Sequence, residues 1–277
     1  MTTPIYVVDA FTNQAFKGNP AAVSVLSTSQ DDIWMQNVAT EMNLSETAFL
    51  HPYQDGYSLR WFTPNTEVDL CGHATLASAH ILWELGHMNS EQPIKFYTKS
   101  GILTASKSGE WIELDFPSEQ PKQENIYPNE LIDGLGIQPI YVGRNRFDYL
   151  IEIDSEQMLR ELNPNFSLLE QIDTRGIIVT SKSTSNEYDF ISRCFFPAVR
   201  VNEDPVTGSA HCCLGPYWQE KLNKNEFLAY QASKRGGILK IKLHNDRVFL
   251  LGQAITILRS ELLNYYSNRL YKLFIFS

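Results

Sequence analysis

The chain carries the same succession of segments twice, which restricts it to folds that two similar halves can build. Tyr57–Pro64, YSLRWFTP, is an aromatic strand-like run followed by an acidic turn and then Cys71-Gly72-His73, which opens into small residues. Ile191–Pro197, ISRCFFP, leads in the same way through Asp204-Pro205-Val206-Thr207-Gly208 into Ala, His and Cys. Further on, the strand after Gly101, the turn Ser108-Gly109-Glu110 and the return strand Trp111–Leu114 match the strand after Gly237, the turn His244-Asn245-Asp246 and Arg247–Leu250. Gly101 and Gly237 stand as far apart as Gly109 and Asn245. Both units read as hairpins with glycine or asparagine at the turn. Order, type and spacing together predict an internal duplication. Residues 1–118 and 119–262 are its two expected domains, proline-rich Pro117–Pro128 is the link, and 263–277 is an extension.

Ala74, Leu76, Ala77, Ala79, Ile81 and Leu82 cover nearly every side of the helix that begins at Cys71–His73, so that helix is expected to be buried. Its first N–H groups have no partner within the helix and its dipole attracts negative charge, which makes Gly72 and His73 candidates for receiving a carboxylate. In Asn202–Cys213, NEDPVTGSAHCC, Asp204 precedes a proline suited to a first helical turn. Thr207, Gly208 and Ser209 then supply hydroxyls and bare backbone at a second such end. If the halves face each other, both helix starts converge on one cleft.

Glu46 stands at the mouth of a strand that is apolar from Ala48 onward. Part-buried there, its carboxyl would titrate upward and could accept and return a proton near neutral pH; the alternative is a solvated or capping glutamate. Asn19, in Gly18-Asn19-Pro20, either closes a sharp turn or reaches a ligand. His73, His80 and His87 recur at intervals of seven. That is about 10 Å along a helix axis, too far to share a metal as an i, i+4 pair does. His80 and His87 are therefore read as structural. Asp31–Met42 reads as a helix stopped by Asn43, and Asn129–Thr180 as scaffold of strands and short helices.

At 277 residues, with 43% hydrophobic and 20% charged, the chain is long enough for two cores. The net charge of −9 and the lack of a Lys/Arg cluster argue against a nucleic-acid binder. MTTPIYVVDAFTNQ has neither a basic start nor an apolar centre, and no run approaches a membrane span, so neither a signal peptide nor membrane insertion is expected. The cysteines at 71, 194, 212 and 213 lack paired metal-ligand spacing, which predicts reduced thiols, no metal and a cytoplasmic setting.

The runs VDAFTNQAFKGNPAAV, MNLSETAFL, FTPNTEVDLCGHATLASAHIL and EDPVTGSAHCCLGPYW, in that order, resemble the phenazine-biosynthesis PhzF-like family, which shares the diaminopimelate epimerase fold. The resemblance spans Pro4 to Leu262. It implies an α+β fold of two similar domains, each a mixed β-sheet rolled into a barrel around a central helix, with the active site between them. It further implies chemistry with neither PLP nor metal, a small carboxylate substrate and a homodimer. By the same resemblance Glu46 in NLSET corresponds to the catalytic acid/base and His73 in CGHAT to its polar partner. Asp204 and Ser209 correspond to the remaining polar residues of the site. Gly72, Thr207 and Gly208 match the helix-start positions that receive the carboxylate, and Asn19 matches a cleft-lining residue. Cys71 stands where epimerase relatives carry one of two cysteines, while the matching turn of the second half has no thiol.

One glutamate serving both proton steps is therefore expected, giving an isomerase. A two-base epimerase or racemase pairing Glu46 with Cys71 or Asp204 is the alternative, and a carboxylate-binding protein without turnover is a third reading. Relatives end near Ala254–Leu262; here Leu263, Tyr266, Leu270, Leu273 and Phe274 are spaced as an amphipathic helix.

Overall fold

The structure, a computed structural model, describes residues 2–263; the helix expected in the extension lies, except for Leu263, outside the described residues. The first half runs β1 (Thr2–Ala10), β2 (Asn19–Val25), α1 (Asp32–Met42), β3 (Glu46–Tyr53), β4 (Gly56–Phe62), β5 (Glu67–Val68), α2 (Gly72–Glu84), β6 (Ile94–Thr98), β7 (Gly101–Ser108) and β8 (Trp111–Pro117). After β9 (Lys122–Gln123) and α3 (Asn129–Leu135), the second half begins with β10 (Tyr141–Arg144), β11 (Asp148–Glu152), α4 (Glu156–Glu161), α5 (Phe166–Leu169) and β12 (Gly176–Lys182). It continues with β13 (Phe190–Phe196), β14 (Val201–Asp204), α6 (Gly208–Leu222), β15 (Glu226–Gln231), β16 (Gly237–His244), β17 (Arg247–Gly252) and β18 (Ala254–Leu263).

The duplication is written in the hydrogen bonding. In the first half the strands lie side by side as β1, β2, β3, β4, β6, β7, β8, parallel at β2/β3 and β4/β6 and otherwise antiparallel, with β5 on β4. The second half repeats this as β10, β11, β12, β13, β15, β16, β17, parallel at β11/β12 and β13/β15, with β14 on β13. Even a salt bridge recurs: Arg60 grips Glu67 with Nε and Nη2 (2.7 and 2.8 Å), and Arg193 grips Glu203 likewise (2.7 and 2.9 Å).

Two exchanges tie the halves together. The strand after β8, β9, pairs with β10, the first strand of the other half; the strand after β17, β18, pairs with β1. Between them β8 and β17 run antiparallel, with Leu114 opposite Leu250. The expected link 117–128 therefore contains a strand of the sheet rather than a free tether. An edge strand exposes a row of unpaired N–H and C=O groups, and each exchange covers one such edge.

Sequence dictates the helix ends. Asp31 caps α1, its Oδ1 accepting from the backbone N–H of Ile33 (2.9 Å) and Trp34 (3.2 Å), and Asn43 ends it in the left-handed region (φ 50°). Helix α2 is buried along nearly its whole length, as its all-round small and apolar surface requires, and packs on β1, β2, β3, β8 and β18. Helix α6 packs on β16 and β17, and one core spans both helices, including Leu76, Leu82, Leu214 and Trp218. His87 lies beyond the end of α2 and is exposed, so it does not share a helix face with His73. Among the described residues no helix is long and apolar enough to cross a membrane.

Because β1 takes its outer partner from the far end of the chain, residues 1–118 alone should not unfold cooperatively in urea, whereas the full chain should. Circular dichroism checks this, and a cooperative transition in the fragment would contradict it.

Candidate active site

Helices α2 and α6 meet head to head. A Cβ built on Gly72 would stand 3.8 Å from the Cα of Gly208, and one on Gly208 the same distance from the Cα of Gly72. Cys71 and Thr207 precede the helices in extended conformation, and neither side chain caps its helix. Instead the Thr207 hydroxyl donates to Asp204 Oδ2 (2.5 Å). Two sets of first-turn N–H groups, each at the positive end of a dipole, thus converge without a side-chain cap.

Around this junction lie the residues the sequence singled out. Glu46, first in β3, brings Oε2 to 3.2 Å from His73 Nε2, yet the alignment is not that of a hydrogen bond and both atoms are buried without a partner. On its other edge His73 Nδ1 lies 3.5 Å from Cys71 Sγ and 3.3 Å from the amide nitrogen of Asn19. Asn19 is fully buried at the start of β2, and its Nδ2 donates to Asp204 Oδ1 (2.8 Å) and to the Val206 carbonyl (2.9 Å). The Asn19 NH₂ offers His73 Nδ1 no acceptor, so a neutral imidazole with its hydrogen on Nε2, toward Glu46, suits this contact.

The electrostatics follow from burial. Desolvation, reinforced by the negative charge of Asp204 and partly offset by a hydrogen bond from Cys71, raises the Glu46 pKa from 4.5 to about 8. Burial also raises Asp204 to about 6, against the donors Thr207 and Asn19, and lowers His73 to about 3. Desolvation and the nearby Glu46 charge keep the Cys71 thiol well above its ordinary range. Near neutral pH, Glu46 and His73 are therefore a carboxyl and a neutral imidazole rather than an ion pair. Donor atoms of Glu46, Cys71 and His73 lie within 4.8 Å of one another. The imidazole, however, turns Nε2 to Glu46 and Nδ1 to Cys71, and both acids would have to lose a strongly held proton, so this set does not suit one shared metal ion.

Two placements differ from the sequence reading. Helix α6 starts at Gly208, so Pro205 sits in the turn before it and Asp204 ends β14. The sequence alone suggests Cys212 and Cys213 about two turns into this helix; Cys212 lies one turn into α6, and both are buried. The Ser209 hydroxyl accepts from Arg175 Nη2 (3.2 Å). Sequence reasoning missed Arg175, its buried partner Asp148, and Gln231. The Gln231 side chain accepts from Thr207 N–H and donates to the Asp204 carbonyl (both 2.8 Å), setting the turn before α6. Asp148 left a trace, an acid opening the fully buried strand DYLIE, which calls for a cation nearby.

The halves differ where Glu46 stands. Arg60-Trp61-Phe62 and Arg193-Cys194-Phe195 correspond, and Thr47 pairs with Phe62 as Ile177 pairs with Phe195. The counterpart of Glu46 is thus Gly176, where a Cβ would stand 2.2 Å from the Phe196 ring.

Comparison with known proteins agrees with this architecture. An uncharacterized isomerase of Halalkalibacterium halodurans is 92% identical over 263 residues, covering 95% of this chain and 99% of the relative. The crystal structure of a PhzF-family phenazine biosynthesis protein from Enterococcus faecalis superposes with a TM-score of 0.91 at 43% identity, covering 95% of this chain and all of that one. A hydroxyproline epimerase from Agrobacterium vitis, at 11% identity and a TM-score of 0.65 over 94% of this chain and 92% of its own, shares the fold. Residues 8–260 match the family described as phenazine biosynthesis-like protein, and the chain belongs to that family, PhzC-PhzF.

Proposed function

We propose that this chain is an isomerase that moves a proton on a small carboxylate-bearing substrate, with Glu46 as both the accepting and the returning group and with no cofactor. The observation that carries the reading is the pair of buried, unpartnered atoms, Glu46 Oε2 and His73 Nε2, at the junction of two uncapped helix starts. A buried polar atom without a partner carries an energetic cost that a bound ligand removes.

In the proposed reaction the substrate carboxylate rests at the N–H ends beside Cys71, Gly72, Thr207 and Gly208. Ionised Glu46 takes a proton from an activated carbon; the C–H electrons enter the conjugated system as the double bond shifts. His73, neutral and carrying its hydrogen on Nε2, donates to the negative charge that develops. Glu46 then returns the proton to the far end of that system on the same face, so one C–H bond breaks, one forms and nothing is oxidised. Asp204, held by Asn19 and Thr207, keeps a charge near Glu46 that raises its affinity for the proton.

A two-base epimerase fits less well. Gly176, at the position mirroring Glu46, has no room for a side chain, and the Cys71 thiol is held in its protonated form. Four free, buried thiols suit a cytoplasmic setting. The homodimer is checked by light scattering.

Proton NMR in heavy water with a panel of amino, hydroxy and unsaturated acids tests the chemistry. Deuterium incorporation or double-bond migration is expected with the wild type and should fall about 10²–10⁴-fold in Glu46→Gln. Exchange that survives the substitution would move the base elsewhere, and binding without exchange would favour a non-catalytic binder. For the wild type, log kcat/KM should climb with pH and level off near pH 8, where Glu46 becomes ionised.

Stability offers an independent readout. Between pH 4.5 and about 8 the folded chain holds a Glu46 proton that the unfolded chain releases, so this group makes wild-type stability fall as pH rises. Glu46→Gln removes that slope. In urea its advantage over wild type should grow by roughly 2–4 kcal/mol from pH 5 to pH 8; a pH-independent difference would contradict the raised pKa.

A further inference from the structure

Glu46 meets His73 at 3.2 Å in the first half, and the mirrored place in the second half holds a different pair. Ser209 occupies the same step of α6 that His73 occupies in α2, the second residue of the helix. Beside Gly176, the counterpart of Glu46, stands Arg175, whose Nη2 donates to Ser209 Oγ at 3.2 Å. The duplication has kept both meeting points and exchanged their chemistry, an acid with an imidazole on one side and a guanidinium with a hydroxyl on the other.

Resting on the reading above, we propose that Arg175 and Ser209 form the anion-anchoring pole of the cleft, grip the substrate's carboxylate at the α6 start, and so determine which carbon faces Glu46. The fork is held in advance. Asp148, fully buried at the start of β11, accepts from Arg175 Nε (2.8 Å) and also from Nη2, while the guanidinium lies over the Phe147 ring (4.8 Å) and the Phe196 ring (5.6 Å). Ser209 accepts from Arg175, so its own O–H remains to be donated. Among the described residues Arg175 Nη1 makes no hydrogen bond, and its side chain is 35% exposed. A guanidinium presents planar paired donors that match a carboxylate, and one already fixed by a buried acid loses little freedom on binding. At the corresponding helix position of the first half stands His73, which burial keeps neutral. The substrate is thereby a carboxylate whose reacting carbon lies across the cleft from its acid group, and it enters in one orientation only.

Acetate is the probe, followed by ¹⁵N–¹H NMR on the full chain. In the wild type the Gly208 and Ser209 amides should shift saturably and more than those of Gly72 and His73. Because Arg175→Gln strands the buried Asp148 carboxylate, the variant to compare is Asp148→Asn with Arg175→Gln, which keeps the pair neutral and hydrogen-bonded. Its apparent Kd should rise about tenfold or more, and Arg175→Lys should recover part of that loss. An unchanged Kd in the double variant, shifts confined to Gly72 and His73, or no saturable shift in the wild type would each overturn the assignment. Loss of deuterium exchange in Glu46→Gln tests the proton-transfer reading separately from the acetate titration of the Arg175 variants, so the two can fail independently.

Discussion

Two helices that meet N-terminus to N-terminus place two partial positive charges, each about half an elementary charge, in contact at Gly72 and Gly208. Left alone they repel, so the junction is stable only with negative charge or strong acceptors around it. Asp204 stands beside one helix start and the Glu46 carboxyl beside the other. Side-chain caps would have met the need locally, and their absence at Cys71 and Thr207 is what leaves the N–H ends for chemistry.

The frame that forces this meeting is the strand exchange. Each helix runs through the interior of its own half, but each half borrows its closing strand from the other, β18 on β1 and β9 on β10. The halves therefore cannot slide apart without breaking sheet hydrogen bonds. Asn19 adds a polar tie at the centre, reaching from β2 to Asp204 and the Val206 carbonyl of the second half while facing His73. Burial of these groups then sets their protonation: Glu46 keeps its proton into the neutral range and His73 remains uncharged, which in the proposed reaction divides proton transfer and hydrogen-bond donation between two residues.

The two halves bring corresponding elements to the junction with different chemistry. At the Glu46 position the second half has a glycine crowded by Phe196, and where His73 stands it has Ser209 bonded to an arginine. The proposed proton transfer on one face needs one base, which in that reading leaves the other pole for holding the substrate.

Much of this was legible in the sequence. Repeated order and spacing showed the duplication, and the all-round small surface of Ala74–Leu82 foretold a buried helix, because side-chain size and polarity act locally and leave a periodic record. Gly72 and Gly208 stood out for a related reason, since bare helix starts are local features; for Glu46 and Asn19 the local pattern left a structural alternative open, and their site roles came from the family resemblance. What only the tertiary structure decided is who meets whom. Arg175 and Ser209 lie 34 residues apart, and Asn19 and Asp204 lie 185 apart; no local pattern encodes such pairings. The raised Glu46 pKa was likewise only an expectation from sequence, since it depends on the desolvation and the Asp204 charge that appear once both halves close around the same junction. Sequence determined the elements and their chemical types; the packing of two exchanged barrels determined which of them became a site.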